Sequence, residues 1–329
     1  MAEKLLILGS NSFSGAHFAA HALTHGFEVV GISRSAEPDA VFLPYRWQSR
    51  PAFEFHQLDL NRDLDRIMAV IEGFKPEYIV NFAAQGMVAE SWDRPEHWYR
   101  TNFLSATALH ERLRNNSHLK CFMQISTPEV YGDCVDVVSE DAPLRPSTPY
   151  AVSKAACDMN LRIYHRQYGF PAITTRAANV YGPGQPLYRI IPRTILAIKK
   201  GVPISLHGGG YARRSFIQIQ DVCEAMLLLL KTGRHGDIFH LATAEVVSIR
   251  QLVSVICDKL GVRADNFIRE SAARPGADSA YLLSTARARE QLGWQAALNL
   301  DRGLDLTIEW YLQNLARLST LPDSYQHKE

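Results

Sequence analysis

KLLILGSNSFSG, residues Lys4 to Gly15, is the stretch on which the fold turns. Leu5–Leu8 is an unbroken apolar run with no polar face, the pattern of a short strand buried on both sides of a parallel sheet. Gly9-Ser10-Asn11-Ser12-Phe13-Ser14-Gly15 follows at once, and from Ala16 to Thr24 the residues suit a helix that ends near Gly26. A glycine-bearing loop between a first strand and a helix carries backbone N–H groups to the positive end of that helix, where they meet a pyrophosphate. The reading predicts a dinucleotide site at Gly9, Asn11, Ser12, Phe13, Ser14 and Gly15. Position 12 holds serine where the glycine fingerprint has its second glycine, so a left-handed backbone there would be strained.

Outward from this loop, strand and helix signals alternate. Phe27–Ser33, Phe53–Leu60, Tyr78–Ala83, Cys121–Ser126 and Pro171–Arg176 read as further strands, and Leu64–Phe74, Glu96–Leu113 and Tyr150–Tyr168 as helices. Such alternation requires right-handed crossovers and gives a parallel sheet covered on both faces. The predicted fold class is α/β: a doubly wound, Rossmann-type parallel sheet over residues 1–180, with the chain returning to it around 215–245. After Tyr181 the texture changes. YGPGQPLYR and HGGGYARR are rich in Gly, Pro, Arg and aromatic residues, as a site wall would be. Ile190–Lys200, Val222–Lys231 and Ile249–Leu260 read as helical and Asp237–Ala242 as a strand. Residues 181–329 are assigned mainly to a smaller, interwoven α/β domain that binds the substrate.

Composition excludes several classes of function. Among 329 residues, 35 Lys and Arg face 34 Asp and Glu, so no general pull toward nucleic acid or an anionic membrane is expected. The apolar runs, such as Ala225–Leu230, fall far short of the roughly 20 residues of a membrane span. The opening MAEKLLILGS has too short an apolar part for a secretion signal. Cys121, Cys134, Cys157, Cys223 and Cys257 are odd in number and scattered without CxxC spacing. They read as small apolar filler in a reducing cytoplasm, with no metal site and no disulfide framework.

The end of the second strand selects the cofactor. About 20 residues beyond the glycine loop, an NAD enzyme usually places Asp or Glu on the ribose hydroxyls. Here the run is Ser33-Arg34-Ser35. A guanidinium between two hydroxyls suits a 2′-phosphate, so NADP(H) is expected ahead of NAD(H). Alone, Arg34 would read as a solvated loop residue. Asp59 and Leu60 after the third strand, and Phe82, Ala83 and Ala84 after the fourth, stand where adenine and ribose contacts fall.

Tyr150 and Lys154 are spaced i and i+4, on one face of a predicted helix. A phenol with a reference pKa of about 10 is a poor base at neutral pH. A nearby ammonium would lower that value. Tyr–Lys pairs on helices are ordinarily structural. What distinguishes this one is ISTPEVYG after the fifth strand, which sets the Ser126 and Thr127 hydroxyls at the carboxyl edge of the sheet, where ligands bind.

In order and spacing, GxxxxxG, NFAAQ, ISTPEVYG, STPYAVSK, RAANVYGPGQ, RSFIQIQDV, RPGADSAY and QLGW resemble the extended short-chain dehydrogenases/reductases over nearly the whole chain. Within that family the chain resembles the nucleotide-sugar 4,6-dehydratases, because Glu129 stands where their proton-abstracting glutamate stands. GISRS and NFAAQ are similar to GDP-mannose 4,6-dehydratases. GSNSFSG, QGMVAESW, ISTPEVYG and LYRIIPRT are similar to GDP-N-acetylglucosamine 4,6-dehydratases.

The resemblance implies roles. Thr127 would hydrogen-bond the sugar O-4, and Tyr150 would take its proton while hydride leaves C-4. Glu129 would then remove the C-5 proton, and water would leave C-6. Lys154 would also grip the nicotinamide ribose. Gln85, Asn179, Arg189, Arg214 and Arg274 would hold the nucleotide-diphosphate sugar; each arginine singly reads as a surface ion-pair residue, and only the set carries the assignment. A homodimer joined through Glu96–Leu113 and Tyr150–Tyr168 is also implied. Many dTDP-glucose dehydratases have an aspartic acid before the glutamate, whereas this chain has Pro128. Either Glu129 then serves as base and acid in turn, or a water supplies the proton.

Three rival readings share the fold. A UDP-glucuronate decarboxylase would need a basic pocket for the sugar carboxylate. A 4-epimerase needs no base at Glu129 and keeps NAD bound. A non-catalytic NADP-binding sensor or scaffold has no use for Thr127, Glu129, Tyr150 and Lys154 together.

Overall fold

In chain order the strands are β1 (Lys4–Leu8), β2 (Glu28–Ser33), β3 (Phe53–Gln57), β4 (Tyr78–Asn81), β5 (Cys121–Ile125), β6 (Cys134–Val138), β7 (Ala172–Ala177), β8 (Asn179–Tyr181), β9 (Ile204–His207), β10 (Arg213–Gln218), β11 (Ile238–Leu241), β12 (Val246–Ser248), β13 (Ile268–Ser271) and β14 (Ala280–Leu283). The structure is a computed structural model that describes residues 2–47, 53–232, 234–272 and 278–328. Seven strands form one parallel sheet in the order β11-β7-β5-β4-β1-β2-β3. β1 is flanked by β2 and β4, with Leu6 opposite both Val30 and Ile79.

The apolar run of β1 explains the layering. Leu5 and Ile7 point to one face, into a core with Phe18, Ala22, Met226 and Leu229 from the helices Phe13–Thr24 and Ile219–Leu230. Leu6 and Leu8 point to the other, against Ile67, Ile71, Leu109, Leu113 and Leu161. Side chains alternate along a strand, so a strand with two helical layers over it has no polar side to spare.

A second, mixed sheet runs β12-β10-β14-β6, with β8 also paired to β10. β9 and β13 pair in parallel, and a separate core includes Ile191, Ile195, Leu252, Ile256, Leu304 and Tyr311. Most of these short strands carry no local signal of their own. Their partners are remote in sequence, as Phe216 is from Asn179.

The helix expected over Glu96–Leu113 is interrupted. Pro95–Tyr99 and Ala106–Leu113 are α-helical, but Arg100–Ser105 is a π-turn. That turn carries Asn102, whose side chain accepts from the Gln85 N–H (2.7 Å) and donates to the Gln85 carbonyl (3.0 Å) and the Ser153 hydroxyl (2.9 Å). π-turns recur at functional sites, and this one clamps the loop after β4 to the helix Pro149–Tyr168. Among the described residues no helix is long and apolar enough to cross a membrane.

Candidate active site

The loop after β1 is held close to its neighbours. Gly9 has φ 79°, and a Cβ there would stand 2.6 Å from the Ala83 nitrogen. At Gly15 a Cβ would fall 2.3 Å from the Gly9 carbonyl oxygen. Both positions exclude a side chain. Ser12 departs from the expectation of strain: its φ is −72°, in the extended region, and its hydroxyl caps the helix Phe13–Thr24 by accepting from the Gly15 N–H (3.1 Å). The same hydroxyl donates to the Gly9 carbonyl at 2.7 Å. The loop needs its left-handed residue at Gly9, not at position 12.

A cleft of about 710 Å³ opens over this loop, lined by Gly9, Asn11, Ser12, Phe13, Ser33, Arg34, Ser35, Asp59, Leu60, Phe82, Ala83 and Ala84. Ser14, Gly15 and Lys154 are not on its wall. Asn11 ties the loop to β2: its N–H donates to Ser33 Oγ (3.0 Å) and its amide to the Ser35 carbonyl (3.0 Å), while Tyr45 Oη donates to its Oδ1 (3.0 Å). Sequence reasoning missed Glu37, an acid on the same wall. Arg46 holds both its carboxylate oxygens, each at 3.0 Å. A pairing nine residues apart in an irregular loop leaves no periodic signal. The segment Pro322–Lys328 also reaches this wall, which nothing in its composition announced.

The reactive side chains gather at the carboxyl end of β5 and the N-terminal end of the helix Pro149–Tyr168. Thr127 caps the short 3₁₀ turn Pro128–Tyr131, and its Oγ1 accepts from the Glu129 N–H at 3.4 Å. Proline suits the first position of such a turn because its fixed φ is already helical and no N–H is lost. Tyr150 sits in the first turn of its helix, which Thr148 caps through the Ala151 N–H (3.2 Å). Burial pushes the Tyr150 phenol well above its ordinary value, with the Glu129 carboxylate adding to the shift. The Thr127 hydrogen bond and Arg189 pull the other way.

The Lys154 ammonium lies one helical turn beyond Tyr150. It donates to the Ile125 carbonyl at 2.6 Å, and burial lowers its pKa. The phenol's electrostatic neighbours in this structure are Glu129, Thr127, Arg189 and Asp158. Ser126 is likewise committed, donating to Asp158 Oδ2 at 2.6 Å.

Glu129 is half-buried, and burial pushes its carboxyl up to about 7. Its own backbone N–H, then Arg214 and Arg189, oppose that shift, while Asp278 adds to it. Arg214 is anchored by donating to the Asp278 and Ser279 carbonyls (2.8 and 3.2 Å) and lies over the Tyr281 ring. Arg189 precedes the helix Ile190–Lys200 and is exposed over Tyr188. Asn179 lies on β8 beside Phe216. Gln85 is buried, its amide donating to the Lys328 carbonyl at 2.7 Å. Arg274 lies outside the described residues. Asp278 went unremarked in the sequence, yet it acts on Glu129 and accepts from Tyr281 Oη (2.6 Å) and Ser147 Oγ (3.0 Å).

Beneath these groups runs a buried polar chain. Arg176 pairs with Asp158 at 2.8 Å, both side chains almost wholly inaccessible, and also donates to Tyr131 Oη. Tyr131 Oη meets His240 Nε2 at 2.7 Å, and burial depresses His240 to about 3, so the imidazole is neutral. Asp158 is one helical turn beyond Lys154, so this chain pins the helix that carries Tyr150 and Lys154 onto β5 and β7.

Residues 6–307 match the family described as GDP-mannose 4,6 dehydratase. The chain belongs to this family. Its members are nucleotide-sugar 4,6-dehydratases of the extended short-chain dehydrogenase/reductase fold. Against the dTDP-glucose 4,6-dehydratase of Xanthomonas campestris pv. campestris (strain B100), this family member is 28% identical over 327 residues, covering 94% of its own chain and 93% of the other. A crystal structure of a dTDP-glucose 4,6-dehydratase from Streptomyces venezuelae, with NAD bound, superposes with a TM-score of 0.88 at 29% identity, covering 95% of this chain and 98% of that one. A UDP-glucose 4-epimerase from Thermotoga maritima, with UDP-glucose, reaches a TM-score of 0.86 at 26% identity, covering 95% and 99%. The backbone therefore does not separate dehydratase from epimerase, and the side chains must.

Proposed function

We propose that this chain is an NADP(H)-dependent nucleotide-sugar 4,6-dehydratase. It converts a GDP-linked hexose, with GDP-N-acetylglucosamine as a candidate, to the 4-keto-6-deoxy sugar and water. The observation that carries the reading is Glu129, a carboxyl raised to about 7 beside Thr127 and Tyr150. An epimerase has no task for such a group. A carboxyl that titrates near neutrality can accept a proton in one step and return it in the next, which suits a site with Pro128 in place of an aspartic acid.

The cleft fits a dinucleotide. Its volume lies within the roughly 300–1,000 Å³ of small-molecule sites, and its wall includes Gly9, Asn11, Ser12 and Phe13 at the N-terminus of the helix Phe13–Thr24. A bound nicotinamide would accept hydride from C-4 and return it to C-6. Arg34, with Ser33 and Ser35, supports NADP over the NAD seen in the Streptomyces venezuelae structure, and the ion pair with Arg46 neutralises the nearby Glu37.

The chain's own groups do the rest. Thr127 and Tyr150 hold the sugar O-4, and Tyr150 takes its proton as the phenolate, which the Lys154 ammonium one helical turn on is assigned to stabilise. With C-4 a ketone, the C-5 proton is acidic enough for Glu129 to remove. Glu129 then protonates the departing C-6 hydroxyl and the elements of water leave; with the hydride back on C-6, a solvent proton on C-5 completes the product, balanced by release to solvent of the proton that Tyr150 took from O-4. Asn179, Arg189, Arg214 and Arg274 are assigned to the diphosphate, and Gln85 to the substrate. The exposed Leu104, Val152, Met159 and Ile163 on or beside the helices Ala106–Leu113 and Pro149–Tyr168 support pairing of two copies there.

The test is a panel of GDP-, UDP-, CDP- and dTDP-sugars, read by mass for loss of one water. In the Glu129→Gln variant, oxidation should proceed and bound NADPH accumulate, without dehydration and without deuterium uptake at C-5. Undiminished product from that variant, with normal deuterium uptake, would place the base elsewhere.

A further inference from the structure

We infer that the segment Pro322–Lys328 is a strap closing the ribose end of the dinucleotide cleft, and that Lys328 is a second cation reading the cofactor's 2′-phosphate beside Arg34. The inference rests on the reading of this cleft as a dinucleotide site.

The strap leaves the short helix Leu315–Leu318, whose Leu318 is buried in the core of the smaller domain. On that side of the cleft, Tyr325 packs edge-on against Tyr188, with ring centres 5.4 Å apart. It then crosses to the large sheet, where His327 lies flat on Trp98 (5.0 Å, 6° between planes). The carbonyl of Lys328 accepts from Arg34 Nη1 at 3.1 Å and from Gln85 Nε2 at 2.7 Å. Its ammonium donates to Ser35 Oγ at 3.2 Å. One residue thus joins the tip of β2 to the loop after β4. Those two strands flank β1, so the junction passes over the Gly9 loop.

Two observations separate a strap from a plug. The cleft keeps about 710 Å³ with the segment in place, which is room for a ligand beneath it. Pro322, Ser324, Gln326 and Lys328 line the cleft and are also exposed to solvent, so they form a wall one residue thick.

The chemistry then points to phosphate. An ammonium and a guanidinium are brought to adjacent residues of one short loop, Arg34 and Ser35. A dianionic 2′-phosphate rewards both cations through charge-assisted hydrogen bonds, whereas a ribose hydroxyl offers neither a counter-charge. A dehydratase that takes hydride from its substrate and gives it back has reason to retain its cofactor between turnovers, and a strap anchored on both walls slows release.

The experiment compares the full chain, a chain ending at Leu321, and Lys328→Ala, using NADPH and NADH as probes. Reduced-nicotinamide fluorescence reads the dissociation constant and, by stopped flow, the release rate; thermal unfolding checks that each variant is folded. Removing the strap should weaken NADPH binding about tenfold, chiefly through faster release. Lys328→Ala should weaken NADPH about fivefold and leave NADH unchanged. Should the truncated chain not fold, Lys328→Ala decides the matter. NADPH bound as tightly or more tightly without the segment overturns the strap, and Lys328→Ala shifting both cofactors alike overturns the reading of phosphate. A full chain that binds neither cofactor overturns the dinucleotide site itself, and the strap with it.

Discussion

Glu129→Gln should make the protein more stable in neutral and alkaline buffer, by an amount that the cleft dictates. Burial raises the carboxyl from its ordinary 4.5 to about 7, so the native state holds this proton more tightly than the unfolded chain does. Between those two values the folded protein binds more protons than the unfolded one, and wild-type stability must fall as pH rises. Below 4.5 both states are protonated and nothing is lost. Above 7 both are ionised and the full penalty stands. A shift of this size corresponds to about 3 kcal/mol at pH 8 and roughly 1 kcal/mol at pH 5, fading to nearly nothing at pH 4. Glutamine has the same shape and no charge to desolvate, so the variant lacks this slope. Urea unfolding of wild type and variant from pH 4 to pH 8 should give curves that diverge with pH, the variant gaining about 3 kcal/mol at the alkaline end relative to the acid end. A difference that is flat across this range would mean that Glu129 titrates like an ordinary surface carboxylate. The argument that it serves as base and acid in turn would then fail.

Other consequences follow from the same geometry. Tyr150→Phe removes the proton acceptor at O-4, so kcat should fall by about 10³ or more while substrate affinity changes little, measured by steady-state turnover and by equilibrium binding. Arg214→Gln removes a cation that lowers Glu129, so the pH profile of deuterium uptake at C-5 should move to more alkaline values; an unmoved profile would detach Arg214 from this carboxyl. Asp158→Asn leaves Arg176 buried with no counter-charge and should cost about 3–5 kcal/mol in denaturant unfolding, against under 1 kcal/mol or so if the pair were solvated.

The parts of this protein written in consecutive residues were legible without a structure. Lys4–Gly15 declares strand, loop and helix because its apolar run and its glycines act on their immediate neighbours. The helix bearing Tyr150 and Lys154 declares itself for the same reason, and the alternation of such units selects a doubly wound parallel sheet. Motif resemblance carried the family. Other features depended on which distant segments the sheet order brings together. Asp278 reaches Glu129 because β14 lies alongside β6, and Arg176 reaches Asp158 because β7 lies beside β5 under the helix Pro149–Tyr168. The π-turn at Arg100–Ser105 carries Asn102 to its partners Gln85 and Ser153, and Gly9 is pressed against Ala83 of the loop after β4. Lys328 meets Arg34 and Gln85 across nearly the whole length of the chain. Local periodicity records what a residue does for its own turn or strand. The pKa of a buried carboxyl and the closing of a cleft are set by burial and by charges on other elements, and only the folded chain determines those.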